Sequence, residues 1–235
     1  MSTEVGRGFV TERELKLTVD SVEEGRALVR RLGDGLGLSL VPKGVRRLES
    51  RYLDTAELAL ARCCVGVRVR FEEDAKGPAI WTAKLAERAE AGMFESLEFN
   101  VEGTLARVPA TLAGRVRELV GAAPLVEIAR LRNLRRSWSS STVPLSVELD
   151  DVEVLLPLPR RFVEVEVEVG EGVNLEAIHG LLGVGEATVA SARHKLGTAL
   201  GSDVAVDPDA CQRARSVLAG PPNPGWTEEP SPWSR

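Results

Sequence analysis

Residues 163–169 read VEVEVEV. Successive side chains of a β-strand point to opposite faces, so Glu164, Glu166 and Glu168 share one face while Val163, Val165, Val167 and Val169 share the other. A strand with one wet face usually mixes charge signs with Thr, Ser and Gln, whereas three like charges in register repel one another. Positive groups are therefore expected opposite this row.

The same sorting recurs in other segments. In 9–19, Glu12, Glu14 and Lys16 oppose Leu15, Leu17 and Val19; in 65–72, Arg68, Arg70 and Glu72 oppose Val65, Val67, Val69 and Phe71. In 145–150, Glu148 and Asp150 oppose Leu145, Val147 and Leu149. Acids on some strands and cations on others suit a metal-bound polyphosphate, because hard divalent cations such as Mg²⁺ or Mn²⁺ take carboxylate oxygens and share phosphate ligands. The arrangement implies an inverted barrel with its charges inside and its apolar faces turned outward against helices.

Strand-like alternation covers about 9–19, 45–54, 65–73, 79–88, 94–102, 126–138, 145–154 and 162–169, enough strands to close a barrel. Helical patterns fall at about 21–33, opened by Asp20 or Ser21, and at 104–121, 174–183 and 187–200. The fold class expected is α+β, an eight-stranded antiparallel β-barrel with flanking helices. Residues 1–203 form the expected barrel domain, and 204–235 a C-terminal extension of a short helix and then a disordered tail, since GPPNPGWTEEPSPWSR (220–235) is rich in Pro and Gly.

With 235 residues, 43% hydrophobic, the chain suffices for one core. A net charge of -5 argues against a nucleic-acid partner, although it does not exclude a local basic pocket. The N-terminus lacks a basic-then-apolar leader and no run of 18 apolar residues occurs, so a cytoplasmic protein without membrane association is expected. Cys63, Cys64 and Cys211 fit neither a disulfide framework nor a zinc motif and are expected to be reduced and inert. There is no GxxxxGK[ST] loop, and only two histidines occur, so chemistry must come from carboxylates and cations.

The ExExK spacing of Glu12, Glu14 and Lys16 resembles the N-terminal signature of the CYTH domain, the triphosphate tunnel metalloenzyme family. Further segments are similar in order: RYLDTAELALARCCVGVRVR (51–70), WTAKL (81–85), ESLEF (95–99), LRRSW (134–138), VELDD (147–151), EVEVEV (164–169) and HKL (194–196). The resemblance implies an eight-stranded tunnel and a family of thiamine triphosphatases, inorganic triphosphatases and class IV adenylate cyclases. It implies that Lys16, Arg68, Arg70, Lys84, Arg135 and Lys195 cradle triphosphate, with Arg132 or Arg136 as alternatives to Arg135 if the strand bulges. It implies metal ligation by Glu12, Glu14, Glu148, Asp150, Glu164 and Glu166, with Glu148 and Asp150 competing for one place. Lys84, Glu98 and Arg70 are the implied catalytic groups.

The activity implied is divalent-metal-dependent hydrolysis of inorganic triphosphate or an organic triphosphate. The alternatives are a class IV-type adenylate cyclase making cyclic AMP from ATP and a non-catalytic polyphosphate- or nucleotide-binding module. The partner expected is a small triphosphate-containing molecule, and the chain a monomer or homodimer. Ser96 stands where animal thiamine triphosphatases carry a tyrosine, which weakens the case for that substrate. Glu168 is expected at the rim, and Trp81 as a core anchor.

Overall fold

A computed structural model of the chain describes residues 9–73, 76–90, 93–182, 189–190, 195–201, 204–220 and 229–230. In chain order the elements are β1 (Phe9–Val19), α1 (Val22–Leu36), β2 (Leu40–Asp54), α2 (Ala59–Arg62), β3 (Val65–Glu72), β4 (Ala79–Glu90), β5 (Met93–Gly103) and β6 (Arg107–Val108). There follow α3 (Ala110–Val120), β7 (Val126–Ser140), β8 (Leu145–Leu156), β9 (Arg160–Val169), α4 (Leu175–Leu182), β10 (Val189–Ala190), α5 (Lys195–Leu200), α6 (Pro208–Ala219) and β11 (Glu229–Pro230). The long strands pair antiparallel in the order β1-β5-β4-β3-β2-β7-β8-β9, and β9 returns to β1. The barrel is closed, so its full-length strands leave no free edge.

Two apolar cores wrap the outside of this barrel. Leu15, Leu17, Leu149, Val165 and Val167 pack under α1 and α4, and Val67, Val69, Trp81 and Ala83 pack with α3 and α6. Trp81 is fully buried and donates from Nε1 to the Thr104 carbonyl at 3.0 Å, so it is a core anchor. A third cluster lies inside one end of the barrel, where Tyr52, Leu131, Val152 and Val154 meet Leu196 and Ala199 of α5. That end of the lumen is therefore plugged by apolar side chains.

Local sequence explains the main helix ends. Ser21 caps α1, its Oγ accepting from Glu24 N at 3.1 Å, while Glu24 Oε2 accepts from the N–H of Asp20, the residue before the cap, at 2.8 Å. Gly37, at φ 63°, closes the same helix in the left-handed region that glycine enters freely. The short helix α2, which periodicity does not foretell, is nucleated by Asp54: its carboxylate accepts from the backbone N–H groups of Thr55, Leu60 and Ala61 at 2.7–2.9 Å. The Asp-Thr step after Tyr52 thus builds a turn.

Three expectations are corrected. Within the expected helix 187–200, Val189–Ala190 instead pair with Leu17–Thr18 of β1 and Lys195–Leu200 are helical, while 187–188 and 191–194 lie outside the described residues. Helix 104–121 begins at Ala110, because Arg107–Val108 pair instead with Glu229–Pro230 within the stretch expected to be a structureless tail. The rest of that stretch, 221–228 and 231–235, lies outside the described residues. Cys64 and Cys211 form a disulfide across 147 residues, leaving Cys63 as the free thiol, because α6 folds back onto the barrel.

Helix α6 buries Ala210, Ala214 and Leu218, and Arg115 of α3 donates to the carbonyls of Val217 and Leu218. Leu218 is fully buried. Leu218→Ala is expected to destabilise the protein by about 2–5 kcal/mol through lost burial and the cavity left behind, read by urea denaturation. A change within experimental error would show that α6 does not belong to the core.

Candidate functional site: a charged tunnel

The barrel encloses a cavity of about 340 Å³. Glu12, Glu14, Lys16, Arg68, Arg70, Lys84, Glu98, Arg135, Glu148, Glu166, Glu168 and Lys195 all line it. Strand parity brings them there, and α5 supplies Lys195 from the plugged end. Asp150 and Glu164 share the inward faces but sit behind the lining, at 0% and 1% exposure. Of the three candidate arginines on β7, Arg135 lies inside, opposite Asp150 in the ladder, whereas Arg132 points outward to Glu49 and Glu73. The only register shift between β7 and β8 falls between Arg130 and Leu131, so parity runs unbroken through Arg135.

The charges form two linked networks. On β1, β4 and β5, Lys84 bonds Glu12, Glu14 at 2.7 Å and Glu98 at 3.2 Å, and Arg68 lies 3.9 Å from Glu98. On β7, β8 and β9, Arg135 donates to Asp150 through Nε at 2.8 Å and Nη2 at 2.5 Å, and it also pairs with Glu148 and Glu166. Lys195 contacts Asp150, Glu164 and Glu166 at 2.7–2.9 Å. Lys16 joins the networks through Glu14 at 2.7 Å and Glu166. Burying such charges is tolerable because most of them are paired.

Titration follows this pairing. Burial would raise Asp150 and Glu166, yet Arg135, Lys195 and Lys16 hold both below the ordinary carboxylate range. Glu98 is likewise pulled to about 2, its burial outweighed by Arg68 and Lys84. Glu12 goes the other way, to about 7, through burial and the neighbouring Glu14 carboxylate. Glu168, at the exposed rim as expected, is raised by burial and by Glu14, Glu98 and Glu148.

Arg70 differs from the other cations. It donates from Nε to Ser50 Oγ at 3.0 Å and, among the described residues, forms no carboxylate ion pair. Burial, with Arg68 and Arg135 close by, depresses it to about 10. Arg68 has a buried Nε with no hydrogen-bond partner. Among the described residues, Arg70 thus carries a guanidinium in the lumen that no carboxylate engages, and planar donors of this kind suit phosphate recognition.

For a metal, the carboxylate oxygens of Glu148, Asp150 and Glu166 lie within 4.8 Å of one another. Glu164 Oε2, nearby on β9, is buried without a hydrogen-bond partner. Inside the rim, among the described residues, seven carboxylates (Glu12, Glu14, Glu98, Glu148, Asp150, Glu164, Glu166) outnumber six cations (Lys16, Arg68, Arg70, Lys84, Arg135, Lys195). Hard oxygen donors with excess negative charge fit a divalent cation. Glu12 and Glu14 lie outside that triad and hold Lys84 instead, as Glu14 also holds Lys16.

Several contributors carry no motif. Asn133 donates to Asp150 Oδ1 at 3.0 Å, Asn100 to Glu98 Oε2 at 3.2 Å, and Phe94 lies 5.9 Å from the Lys16 ammonium. Parity on β2, β5 and β7 places Ser50, Asn100 and Asn133 on inward faces. Their roles emerge only once the partner strands are known.

A closed barrel with cations and carboxylates turned inward defines a tunnel protein for polyanions. The sequence profile of the CYTH domain matches residues 11–189, and the chain belongs to that family. Among solved structures it resembles HpAC1 from Hippeastrum, described as an adenylyl cyclase candidate with a dominant triphosphatase activity. The TM-score is 0.60 at 21% identity, covering 82% of this chain and 97% of that one. It also resembles the PH1819 protein of Pyrococcus horikoshii, with TM-score 0.50, 19% identity and coverage of 80% and 98%. These likenesses concern the fold. No curated protein matches the sequence.

Among the described residues, Arg70 is the inner cation that neutralises no carboxylate, and its removal takes that charge away. Arg70→Ala is expected to weaken binding of a slowly hydrolysed triphosphate analogue by about tenfold to a hundredfold, the worth of a charge-assisted hydrogen bond. Titration calorimetry should show metal affinity little changed. Equal losses of both affinities would contradict the phosphate-facing placement of Arg70.

Proposed function

We propose that the protein is a divalent-metal-dependent triphosphatase that hydrolyses inorganic or organic triphosphate to release phosphate, using Mg²⁺ or Mn²⁺. The observation that carries the reading is the juxtaposition, in one lumen, of the β3 guanidinium of Arg70, which among the described residues pairs with no carboxylate, with the carboxylate triad of β8 and β9. CYTH membership supports action on a triphosphate. The residues proposed to grip phosphate are Lys16, Arg68, Arg70, Lys84, Arg135 and Lys195. The proposed metal-holding set is centred on Glu148, Asp150 and Glu166, with Glu12, Glu14 and Glu164 flanking it. A bound divalent ion would supply Lewis-acid charge to the phosphate oxygens.

The chain's own contribution is electrostatic. Arg68 and Arg70 would hold phosphate oxygens by their forked N–H groups, while Lys84 and Lys195 place compact positive charge along the chain of phosphates. Charge building on the leaving phosphate is met by groups already fixed in place, so little reorganisation is needed during reaction. Glu98, held near 2, is a weak base at neutral pH; in this reading it positions Arg68 and Lys84. Asp150, gripped by Arg135, Lys195 and Asn133, fixes the floor of the site.

Phosphate release should be measured from tripolyphosphate, thiamine triphosphate and ATP with Mg²⁺ or Mn²⁺, alongside cyclic AMP. Metal-dependent phosphate release without cyclic AMP is expected; cyclic AMP as the main product, or no turnover, would refute the reading. Glu166→Gln should lower metal affinity at least tenfold, because the amide loses the charge that offsets the ion, and should also lower the thermal melt, because Lys16, Arg135 and Lys195 each lose a charged partner. Unchanged metal affinity would remove Glu166 from the metal set.

A further inference from the structure

The inner cations divide by what stands beside them across the sheet. Lys16 of β1 lies opposite Glu166, Lys84 of β4 opposite Glu98 and Arg135 of β7 opposite Asp150, and each pairs with the carboxylate it faces. Lys195, from α5, contacts Asp150, Glu164 and Glu166. The arginines of β3 have no acid at either neighbouring register position. Arg68 stands between Tyr52 of β2 and Thr82 of β4, and Arg70 between Ser50 and Ile80. Arg68 still lies 3.9 Å from Glu98, whereas Arg70, among the described residues, pairs with no carboxylate.

The Ile80 side chain has no hydrogen-bond acceptor, so of the two cross-strand neighbours Ser50 is the one able to hold Arg70. It does so through its Oγ, which accepts from Arg70 Nε at 3.0 Å. Ser50 is 2% exposed, so water does not compete for that bond. A guanidinium is a rigid planar fork of donors, so engaging Nε fixes the plane and leaves the Nη groups unused. Arg70 lines the lumen, where those groups can meet a ligand. A carboxylate in place of Ser50 would take the fork bidentately and cancel its charge, as Asp150 does to Arg135.

We propose that Ser50 is a positioning residue of the phosphate site, its hydroxyl orienting the Arg70 guanidinium for a phosphate oxygen while leaving the charge uncancelled. This role rests on the triphosphatase reading and deepens it by assigning a residue outside the segments that resemble the family. Ser50 itself touches no phosphate. It acts through Arg70, and that dependence can be measured.

The test is a double-substitution cycle read by titration calorimetry of methylene-bridged tripolyphosphate in the presence of Mg²⁺. Ser50→Ala is expected to weaken binding by about threefold to tenfold, the worth of one hydrogen bond. Ser50→Thr, which keeps the hydroxyl on a side chain suited to a strand, should bind within about twofold of wild type. In the Arg70→Ala background, Ser50→Ala should cost less than about twofold further, because the group it orients is gone. Wild-type affinity in Ser50→Ala, an undiminished loss in the Arg70→Ala background, or failure of threonine to restore binding would each overturn the inference, as would failure of the analogue to bind. Phosphate release from tripolyphosphate tells the two readings apart. Turnover without coupling between Ser50 and Arg70 sinks only the positioning role; coupling without turnover sinks only the hydrolase.

Discussion

The rest of the structure depends on charge compensation inside a closed barrel. Among the described residues, seven inner carboxylates and six inner cations are held within a barrel whose one end is lined by apolar side chains, and the ion pairs among them make that interior tolerable. Removing one partner of a buried pair typically costs about 3–5 kcal/mol, since it strands the other charge away from water. The cost of such an interior is offset outside the barrel, where α1 and α4 cover one side and α2, α3 and α6 another. In an ordinary barrel the apolar residues face in. Here they face out, and the helices are the second layer that buries them.

The same pairing sets what a ligand must bring. A triphosphate competes with carboxylates for Lys16, Lys84, Arg135 and Lys195, and adds negative charge where acids already exceed cations. A divalent cation among Glu148, Asp150 and Glu166 would restore the balance, so anion and metal should favour each other's binding. Arg70, bonded to Ser50 and, among the described residues, to no carboxylate, needs no such exchange to meet an anion.

Much of this was legible in the sequence because a period of two is a strong signal. The row Glu164, Glu166, Glu168 and the pairs Arg68–Arg70 and Glu12–Glu14 assign their own faces, and the long strands fall close to where alternation puts them. Parity gives the face but not the depth: it cannot show that Asp150 and Glu164 lie behind the lining while Glu148 and Glu166 stand in it. Elements too short for any period were missed, among them α2, β6 and β10, which follow from a carboxylate cap and from pairing with remote segments. The Cys64–Cys211 bond was hidden for a related reason, since residues 147 apart meet only through the packing of α6.

The central claim is that metal and triphosphate occupy the lumen together. The most direct measurement is anomalous diffraction at the manganese edge from crystals grown with Mn²⁺ and a non-hydrolysable tripolyphosphate analogue. The account predicts a peak among Glu148, Asp150 and Glu166, with phosphate density on Arg68, Arg70 and Lys84. A lumen free of manganese, or the analogue bound only on the outer surface, would contradict it.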